Sequence, residues 1–179
     1  FERGEYSALC AAGVLDFADA AKLVNERGDA MQAAADEQDG TMAAILGLDD
    51  DQVDIACQKT AGNAWIANYN APGQVVIAGS PDDLDRACAA AKELGAKRAM
   101  RIPVGGAFHS PLMEPMLDAF EARASELTYA KPRIPVVSNL TGTLTKDGFG
   151  EPSYWRQHVR GAVRYADGVR ALVEAGYRT

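Results

Sequence analysis

The sequence has few of the residues that build disulfide frameworks and metal centres. Three of its 179 residues are cysteines and two are histidines. Cys10, Cys57 and Cys88 are widely spaced, and no two of them form the Cys-x-x-Cys pair typical of zinc and redox sites. We therefore expect buried free thiols rather than disulfides, and no bound metal.

Long apolar runs and an excess of basic residues are also absent. The longest apolar stretches, such as residues 75–78, are far too short to span a bilayer, and nothing resembles a signal peptide. The chain has 18 Lys and Arg against 25 Asp and Glu, a formal net charge of −7, whereas nucleic-acid binding needs a basic footprint. The composition predicts a soluble, cytoplasmic protein with neither nucleic acid nor membrane as a partner.

The charge is unevenly distributed along the chain. Residues 28–58 contain eight acidic and no basic residues, which is typical of a solvated loop and helix start. Residues 97–179 contain twelve basic and eight acidic residues, a balance of +4 that offers a face for an anionic partner. The chain begins with Phe rather than Met, and we expect it to be a piece of a longer protein.

Residues 41–104 predict a small unit in which strands and helices alternate. Ser80 followed by Pro81 marks a helix start, and Gly95 marks its end. The order of the elements is β-α-β-β-α-β, that of a ferredoxin-like α+β subdomain. The predicted strands are 41–47, 65–69, 74–79 and 97–104, and the predicted helices are 49–60 and 81–94.

The flanking segments predict parts of a larger α/β layer. Asp16 caps an amphipathic helix that follows a first helical segment, and Ser110 with Pro111 starts another helix. The apolar run at 134–140 is typical of a buried parallel strand. Residues 1–40 and 105–179 are therefore assigned to this layer, with the 41–104 subdomain inserted between them.

Three polar residues are candidates for chemistry on position alone. His109 follows two glycines and precedes a helix N-terminus, where the helix dipole favours the neutral imidazole that can act as a base. A capping or packing histidine remains the alternative. Arg27 lies at the edge of an apolar helix stripe, where it either extends to solvent or clamps a carboxylate. For His158, near the start of a helix, a surface position is the default.

Five ordered motifs are the most specific feature of the sequence. Each combines polar and apolar residues in a fixed spacing, and four of the five contain glycine. They are GEYSAL at 4–9, ERG followed by MQ at 26–32, NYNAPGQVVIAG at 68–79, GAFHSPLM at 106–113 and PVVSN at 135–139.

Together these motifs resemble malonyl-CoA:acyl-carrier-protein transacylases and the acyltransferase domains of modular polyketide synthases. The resemblance implies a partial α/β-hydrolase-like parallel-sheet layer with the ferredoxin-like subdomain inserted. It also implies a ping-pong reaction, in which a serine in a Gly-His-Ser-Leu-Gly nucleophile elbow takes malonyl from coenzyme A. The serine then passes malonyl to the phosphopantetheine thiol of an acyl carrier protein. No metal or redox cofactor is implied, because coenzyme A arrives as part of the substrate.

The resemblance implies roles for five residues of one pocket. His109 matches the general base, and Arg27 matches the residue that binds the free carboxylate of malonate. Phe108 lies where the family selects the α-substituent, and its bulk predicts malonyl rather than methylmalonyl. Asn68 and Asn139 are further pocket candidates, with buried turn-capping amides as the alternative.

Two further positions concern the catalytic geometry. His158 falls where the family often has Gln or Asn, whose backbone carbonyl orients the catalytic imidazole. Glu2 falls at the nucleophilic serine, because residues 1–3 read Phe-Glu-Arg where the family has His-Ser-Leu. A carboxylate would form a labile mixed anhydride in place of the serine ester. The chain as written is predicted to be inactive.

Two explanations of this departure stay open. The chain is either a fragment with non-native first residues, which we favour, or a protein that lost its nucleophile. In the second case the rival function is a non-catalytic relic that only docks an acyl carrier protein.

Overall fold

The computed structural model describes residues 2–178, and the side chain of Glu2 lies outside that description together with Phe1 and Thr179. The helices are α1 Glu2–Ala11, α2 Phe17–Glu37, α3 Asp50–Gln58, α4 Pro81–Glu93, α5 Glu114–Ser125, α6 Pro152–Arg160 and α7 Tyr165–Glu174. The strands are β1 Thr41–Leu46, β2 Ala64–Ala71, β3 Gln74–Gly79, β4 Arg98–Ile102, β5 Val136–Val137 and β6 Leu144–Thr145. A short 3₁₀ turn, Pro111–Met113, precedes α5.

Polar side chains begin two of the helices where the sequence predicts a start. The Asp16 carboxylate accepts a hydrogen bond from the Ala18 N–H at 2.8 Å, which satisfies a backbone donor at the start of α2. Asp49 and Gln52 form a reciprocal capping box at the start of α3. These local hydrogen bonds set where each helix leaves the preceding loop.

The four longer strands form the predicted ferredoxin-like sheet. Their order across the sheet is β2-β3-β1-β4, and each neighbouring pair is antiparallel. Helices α3 and α4 pack on one face, where their apolar residues join those of the strands in one buried cluster. The predicted β-α-β-β-α-β unit is confirmed.

The other face of the sheet supports the loop at residues 105–109. Successive side chains of β3 point to opposite faces, so that Val75 and Ile77 face the helices while Val76 and Ala78 do not. Val76 and Ala78 pack instead with Ala107, which is fully buried. The sheet therefore fixes the backbone immediately before His109.

A second core lies among α1, α2, α5 and α6. Its centre is Trp155 of α6, which is fully buried and stacks on Tyr6 of α1 with the ring centroids 4.8 Å apart. Arg123 of α5 pairs with Glu26 of α2 at 2.6 Å and ties those two helices together at the surface. The helices around the site are thus held by packing inside and by an ion pair outside.

The strand predicted over residues 134–140 is present in part, and its pairing within residues 2–178 is antiparallel. Within this stretch Val136–Val137 form the strand β5, which pairs antiparallel with β6. A parallel strand needs a strand alongside, and within residues 2–178 the parallel pairing is a single bridge between Asn68 and Val163. Apolar composition alone does not distinguish a sheet strand from an extended segment that packs on helices.

The described residues contain neither a helix that could span a membrane nor a cluster of metal ligands. Among residues 2–178, none of the helices is both long and apolar enough to cross a membrane. The same residues contain no group of three or more His, Cys, Asp or Glu side chains placed to hold a metal ion.

The burial of the cysteine thiols predicts how the free energy of unfolding changes at alkaline pH. Cys57 and Cys88 are buried, as predicted, whereas Cys10 is only half-buried. Burial raises the pKa of Cys57 to about 12, above the value of about 8.5 for an unfolded thiol. The folded chain therefore keeps this proton where the unfolded chain has lost it, so stability present below about pH 8.5 falls as pH rises toward about 12.

We expect the free energy of unfolding to decrease by about 1.4 kcal/mol per pH unit from this thiol within that window. Urea unfolding as a function of pH measures the slope. The Cys57→Ala variant should show a shallower slope, and an unchanged slope in that variant would assign the loss to other groups.

Candidate active site

A cavity of about 380 Å³ lies between the helical core and the ferredoxin-like sheet. Its walls come from the first turn of α1, the middle of α2, strands β1 and β2 and the loop that precedes the 3₁₀ turn. The lining residues are Arg3, Val24, Arg27, Gly28, Met31, Gln32, Met42, Asn68, Phe108 and His109. Four of the five residues predicted from the sequence to share one pocket therefore line this cavity, namely Arg27, Asn68, Phe108 and His109.

Arg27 is the most unusual residue of the cavity. It occupies the middle of α2 and is only 6% exposed, so it does not extend into solvent. Its Nε and Nη2 atoms are buried, and neither has a hydrogen-bond partner within the described part of the chain. Buried guanidinium donors without a partner are costly, and a bound anion would satisfy them.

His109 is held by its backbone and by a carbonyl. Its φ of 58° is the one positive value among the non-glycine residues described, and such strained conformations cluster at functional sites. The imidazole Nδ1 lies 3.1 Å from the Gly161 carbonyl oxygen. A carbonyl only accepts, so Nδ1 carries the proton and Nε2 is the basic nitrogen.

The segment after His109 is fixed by Ser110. The Ser110 hydroxyl donates to the Ala107 carbonyl at 2.6 Å and accepts from the Leu112 N–H at 3.2 Å. These two bonds close the turn around His109 from both sides. The imidazole is therefore placed by a rigid loop at the start of the 3₁₀ turn and α5.

Asn68 and Phe108 reach the cavity from different parts of the fold. Asn68 belongs to β2 and is 8% exposed, at a place where the β2–β3 register is irregular. Phe108 is half-buried and contacts both the helical core and the sheet cluster. Both residues therefore lie at the junction of the two cores, where a substrate would touch both.

Asn139 and His158 lie elsewhere. Asn139 lines a different, largely apolar cavity, and its backbone N–H donates to Glu5 at 2.8 Å. His158 is 2% exposed, which corrects the expected surface position, and its Nε2 lies 3.3 Å from Glu5. The carbonyl beside His109 Nδ1 is that of Gly161 and not that of His158, so the predicted orienting residue is wrong by three positions.

The first turn of α1 opens onto the same cavity. Glu2 is the first residue of α1, and its side chain lies outside the described part of the chain. Arg3, the next residue, lines the cavity. Ser7 lines a different, smaller pocket, and its hydroxyl is 3.3 Å from the Arg3 carbonyl oxygen.

Several arginines of residues 97–179 form ion pairs with acidic residues of the same stretch. Arg156 pairs with Glu114 at 2.7 Å and with Asp118 at 2.5 Å, and Arg160 also contacts Glu114. Arg164 and Arg170 both pair with one carboxylate, that of Asp167. These carboxylates are already counted in the balance of +4, so the ion pairs locate the paired arginines but leave that balance unchanged.

The fold and the site together define a class of protein. A ferredoxin-like sheet packed against helices, with a histidine and a buried arginine sharing the cavity between them, is the arrangement of an acyltransferase. The model of the acyl transferase domain family matches residues 3–179, and the chain belongs to that family.

Characterised relatives agree with this assignment. The chain is 43% identical over 183 residues to the malonyl CoA-acyl carrier protein transacylase of Escherichia coli strain K12, covering 97% of this chain and 59% of the relative. It resembles the crystal structure of an acyl carrier protein S-malonyltransferase from Vibrio cholerae O1 biovar eltor, with a TM-score of 0.91 and 39% identity over 97% of this chain and 57% of that one.

A third similar structure contains two proteins. It is a malonyl-transacylase in complex with its type II polyketide synthase acyl-carrier protein, with a TM-score of 0.89 and 37% identity over 96% of this chain and 56% of that one. The chain thus spans less than two thirds of the length of these three relatives. The likeness confirms the predicted α/β fold with its ferredoxin-like subdomain.

Proposed function

We propose that the complete protein transfers a malonyl group from coenzyme A to the phosphopantetheine thiol of an acyl carrier protein. One observation carries the proposal: Arg27 presents buried, unpartnered guanidinium donors to the cavity that also contains His109. A planar carboxylate satisfies such donors with two parallel hydrogen bonds. The similarity to malonyl transferases of other organisms supports the same substrate.

The first half-reaction forms an ester on a serine at the position of Glu2. His109 Nε2 accepts the serine hydroxyl proton while the oxygen attacks the malonyl thioester carbonyl. The tetrahedral intermediate then expels the coenzyme A thiolate, which takes the proton from the imidazolium. The Gly161 carbonyl stabilises that imidazolium through Nδ1–H.

The second half-reaction reverses these roles. His109 Nε2 takes the proton of the phosphopantetheine thiol, and the sulfur attacks the serine ester. The serine leaves with the proton that the imidazolium returns, so the protein ends unchanged. No metal or redox cofactor takes part in either half, and coenzyme A is only the carrier of the donor group.

Two residues determine which acyl group enters. Arg27 binds the free carboxylate of malonyl, whereas acetyl would leave the guanidinium unpaired and buried. Phe108 restricts space beside His109 and favours malonyl over a methyl-substituted acyl group. Asn68 contributes a polar group from the sheet side of the same cavity.

The acceptor is an acyl carrier protein, and the reaction serves fatty acid or polyketide synthesis in the cytoplasm. The complex between a similar malonyl-transacylase and its carrier supports this partner. The junction between the two cores gives the long phosphopantetheine arm a route to His109.

Acid-quenched labelling tests the proposal. A full-length protein in which residues 4–179 follow an intact Gly-His-Ser-Leu segment is mixed with radiolabelled malonyl-CoA and denatured in acid. We expect covalent label that chases onto an acyl carrier protein. Absence of label on a folded protein would falsify the transferase and favour a carrier-docking relic.

Replacing Arg27 with alanine should alter substrate selection in that full-length protein. Loss of charge-assisted hydrogen bonds of about 1.5–3 kcal/mol predicts a fall in malonyl kcat/KM of about 10-fold to 100-fold, with acetyl-CoA no longer disfavoured. Rates with the two donors measure the ratio. Arg27→Lys keeps the charge but not the planar guanidinium, so its malonyl kcat/KM should lie between those of the parent protein and Arg27→Ala. An unchanged malonyl rate in Arg27→Ala would refute the clamp.

A further inference from the structure

A buried polar cluster joins α1 to α6. We call it the Glu5 cluster; it consists of Glu5, Ser138, Asn139, Tyr154 and His158. Glu5 is 4% exposed and lies one turn after the start of α1. Burial of a carboxylate costs free energy unless hydrogen-bond donors surround it, so the residues that contact Glu5 must supply such donors.

Three groups converge on the Glu5 carboxylate. The Asn139 backbone N–H donates to Oε2 at 2.8 Å, and the Tyr154 hydroxyl donates to Oε1. His158 Nε2 lies 3.3 Å from Oε2 but makes no hydrogen bond to any described residue. Within residues 2–178, Glu5 forms no ion pair with a lysine or an arginine, so hydrogen bonds compensate the buried carboxylate.

Tyr154 is a fixed donor in this cluster. The Ser138 hydroxyl lies 2.9 Å from the Tyr154 hydroxyl and accepts from the Thr141 N–H at 3.2 Å. Ser138 therefore donates to Tyr154, which in turn donates to Glu5. Burial and the nearby Glu5 carboxylate raise the pKa of Tyr154 far above its usual value, so the hydroxyl stays protonated.

The cluster connects to the active site through α6. Tyr154 and His158 are four residues apart and so lie on one face of α6, toward Glu5. The helix ends at Arg160, and the next carbonyl, that of Gly161, lies beside His109 Nδ1. A Cβ at Gly161 would stand 2.7 Å from the Gln157 carbonyl oxygen, so glycine permits this tight exit from the helix.

We propose that Glu5 is a positioning residue, which binds α6 through Tyr154 and so holds the Gly161 carbonyl against His109 Nδ1. The inference rests on the proposed function, since it explains how His109 keeps its proton on Nδ1 and its base on Nε2. Glu5 also belongs to α1, whose first turn opens onto the cavity. The Glu5 carboxylate therefore sets the distance between α1 and the Gly161 carbonyl that contacts His109.

Nitrogen NMR of the chain itself tests this role. The sequence contains two histidines, so in His158→Gln the remaining imidazole signals belong to His109. With uniform ¹⁵N-histidine labelling, at a pH where the imidazoles are neutral, we expect His109 in the Nδ1–H tautomer. An imidazole without a fixed partner mixes its two neutral tautomers, because the hydrogen bond at one nitrogen decides which carries the proton.

Two variants weaken the cluster while keeping its shape. Tyr154→Phe removes one donor to Glu5 and keeps the ring, and Glu5→Gln removes the charge and keeps the size. In each, we expect the ratio of Nδ1–H to Nε2–H forms of His109 to fall about fivefold, the effect of one hydrogen bond.

Tyr129→Phe is the matched control. It deletes the same hydroxyl from another tyrosine of the helical core, one that donates to the Ala124 carbonyl at 3.1 Å and does not contact Glu5. It should lower stability without changing the tautomer ratio of His109. Equal ratios in Tyr154→Phe and Tyr129→Phe would overturn the proposal, even if Glu5→Gln does not fold. The measurement needs no substrate, so it can fail independently of malonyl transfer.

Discussion

Acyl transfer by the full-length protein should fall about 10²-fold to 10⁴-fold when His109 is replaced with glutamine. That range is the usual contribution of a positioned general base. Glutamine can still donate a hydrogen bond to the Gly161 carbonyl but has no basic nitrogen with which to accept the serine or thiol proton. The measurement is single-turnover labelling with malonyl-CoA, which isolates the chemical step from binding and product release.

The control for this variant is substrate affinity. Arg27 and the cavity walls remain intact, so malonyl-CoA should bind His109→Gln nearly as tightly as the parent protein. The loss should appear in kcat and not in the dissociation constant. A loss smaller than about tenfold, below the usual contribution of a general base, would mean that another group takes the proton.

Replacing Trp155 with alanine should lower the free energy of unfolding by about 3–5 kcal/mol. The ring is fully buried, stacks on Tyr6 at 4.8 Å and meets Tyr154 edge-on at 5.2 Å. Its indole N–H donates to the Phe149 carbonyl at 2.9 Å, which the variant would leave without that donor. Urea unfolding followed by circular dichroism measures the change.

The other tryptophan provides the comparison. Trp65 lies in β2, an outer strand of the sheet, and is only half-buried. Its neighbours can adjust to a smaller side chain, so Trp65→Ala should cost about 1 kcal/mol, the typical effect of a single substitution. Similar losses in both variants would show that Trp155 is not the centre of the helical core.

Sequence patterns predict the sheet of this protein well because short-range rules decide it. Asp16 and Asp49 start helices through hydrogen bonds to residues two or three positions away. Strands β1 to β4 and helices α3 and α4 follow the chain order β-α-β-β-α-β. One antiparallel sheet arrangement is common for that order, and this protein has it. Apolar residues 134–140 are the counterexample, since their pairing depends on what lies beside them in space.

The candidate site was predictable where side chains carry the chemistry. Arg27, Asn68, Phe108 and His109 meet in one cavity, although their catalytic and binding roles stay predictions. The carbonyl of Gly161 was missed because a backbone oxygen has no signature in the residue type. His158 falls where the resemblance places Gln or Asn, which is three positions before the carbonyl that contacts His109.

Glu5 was missed for a different reason. It occurs within the GEYSAL motif, but its residue type gives no indication of its partners in the fold. Those partners come from residues 138–158, more than 130 positions away. The one available signal was the burial expected at that position of α1, where a carboxylate is exceptional.

The left-handed backbone at His109 bears on the stability of the fold. A residue with a Cβ in that conformation costs about 1–2 kcal/mol, which glycine would recover. His109→Gly would therefore stabilise the backbone at this position. Histidine at a φ of 58° thus occupies a conformation that glycine would adopt at lower cost.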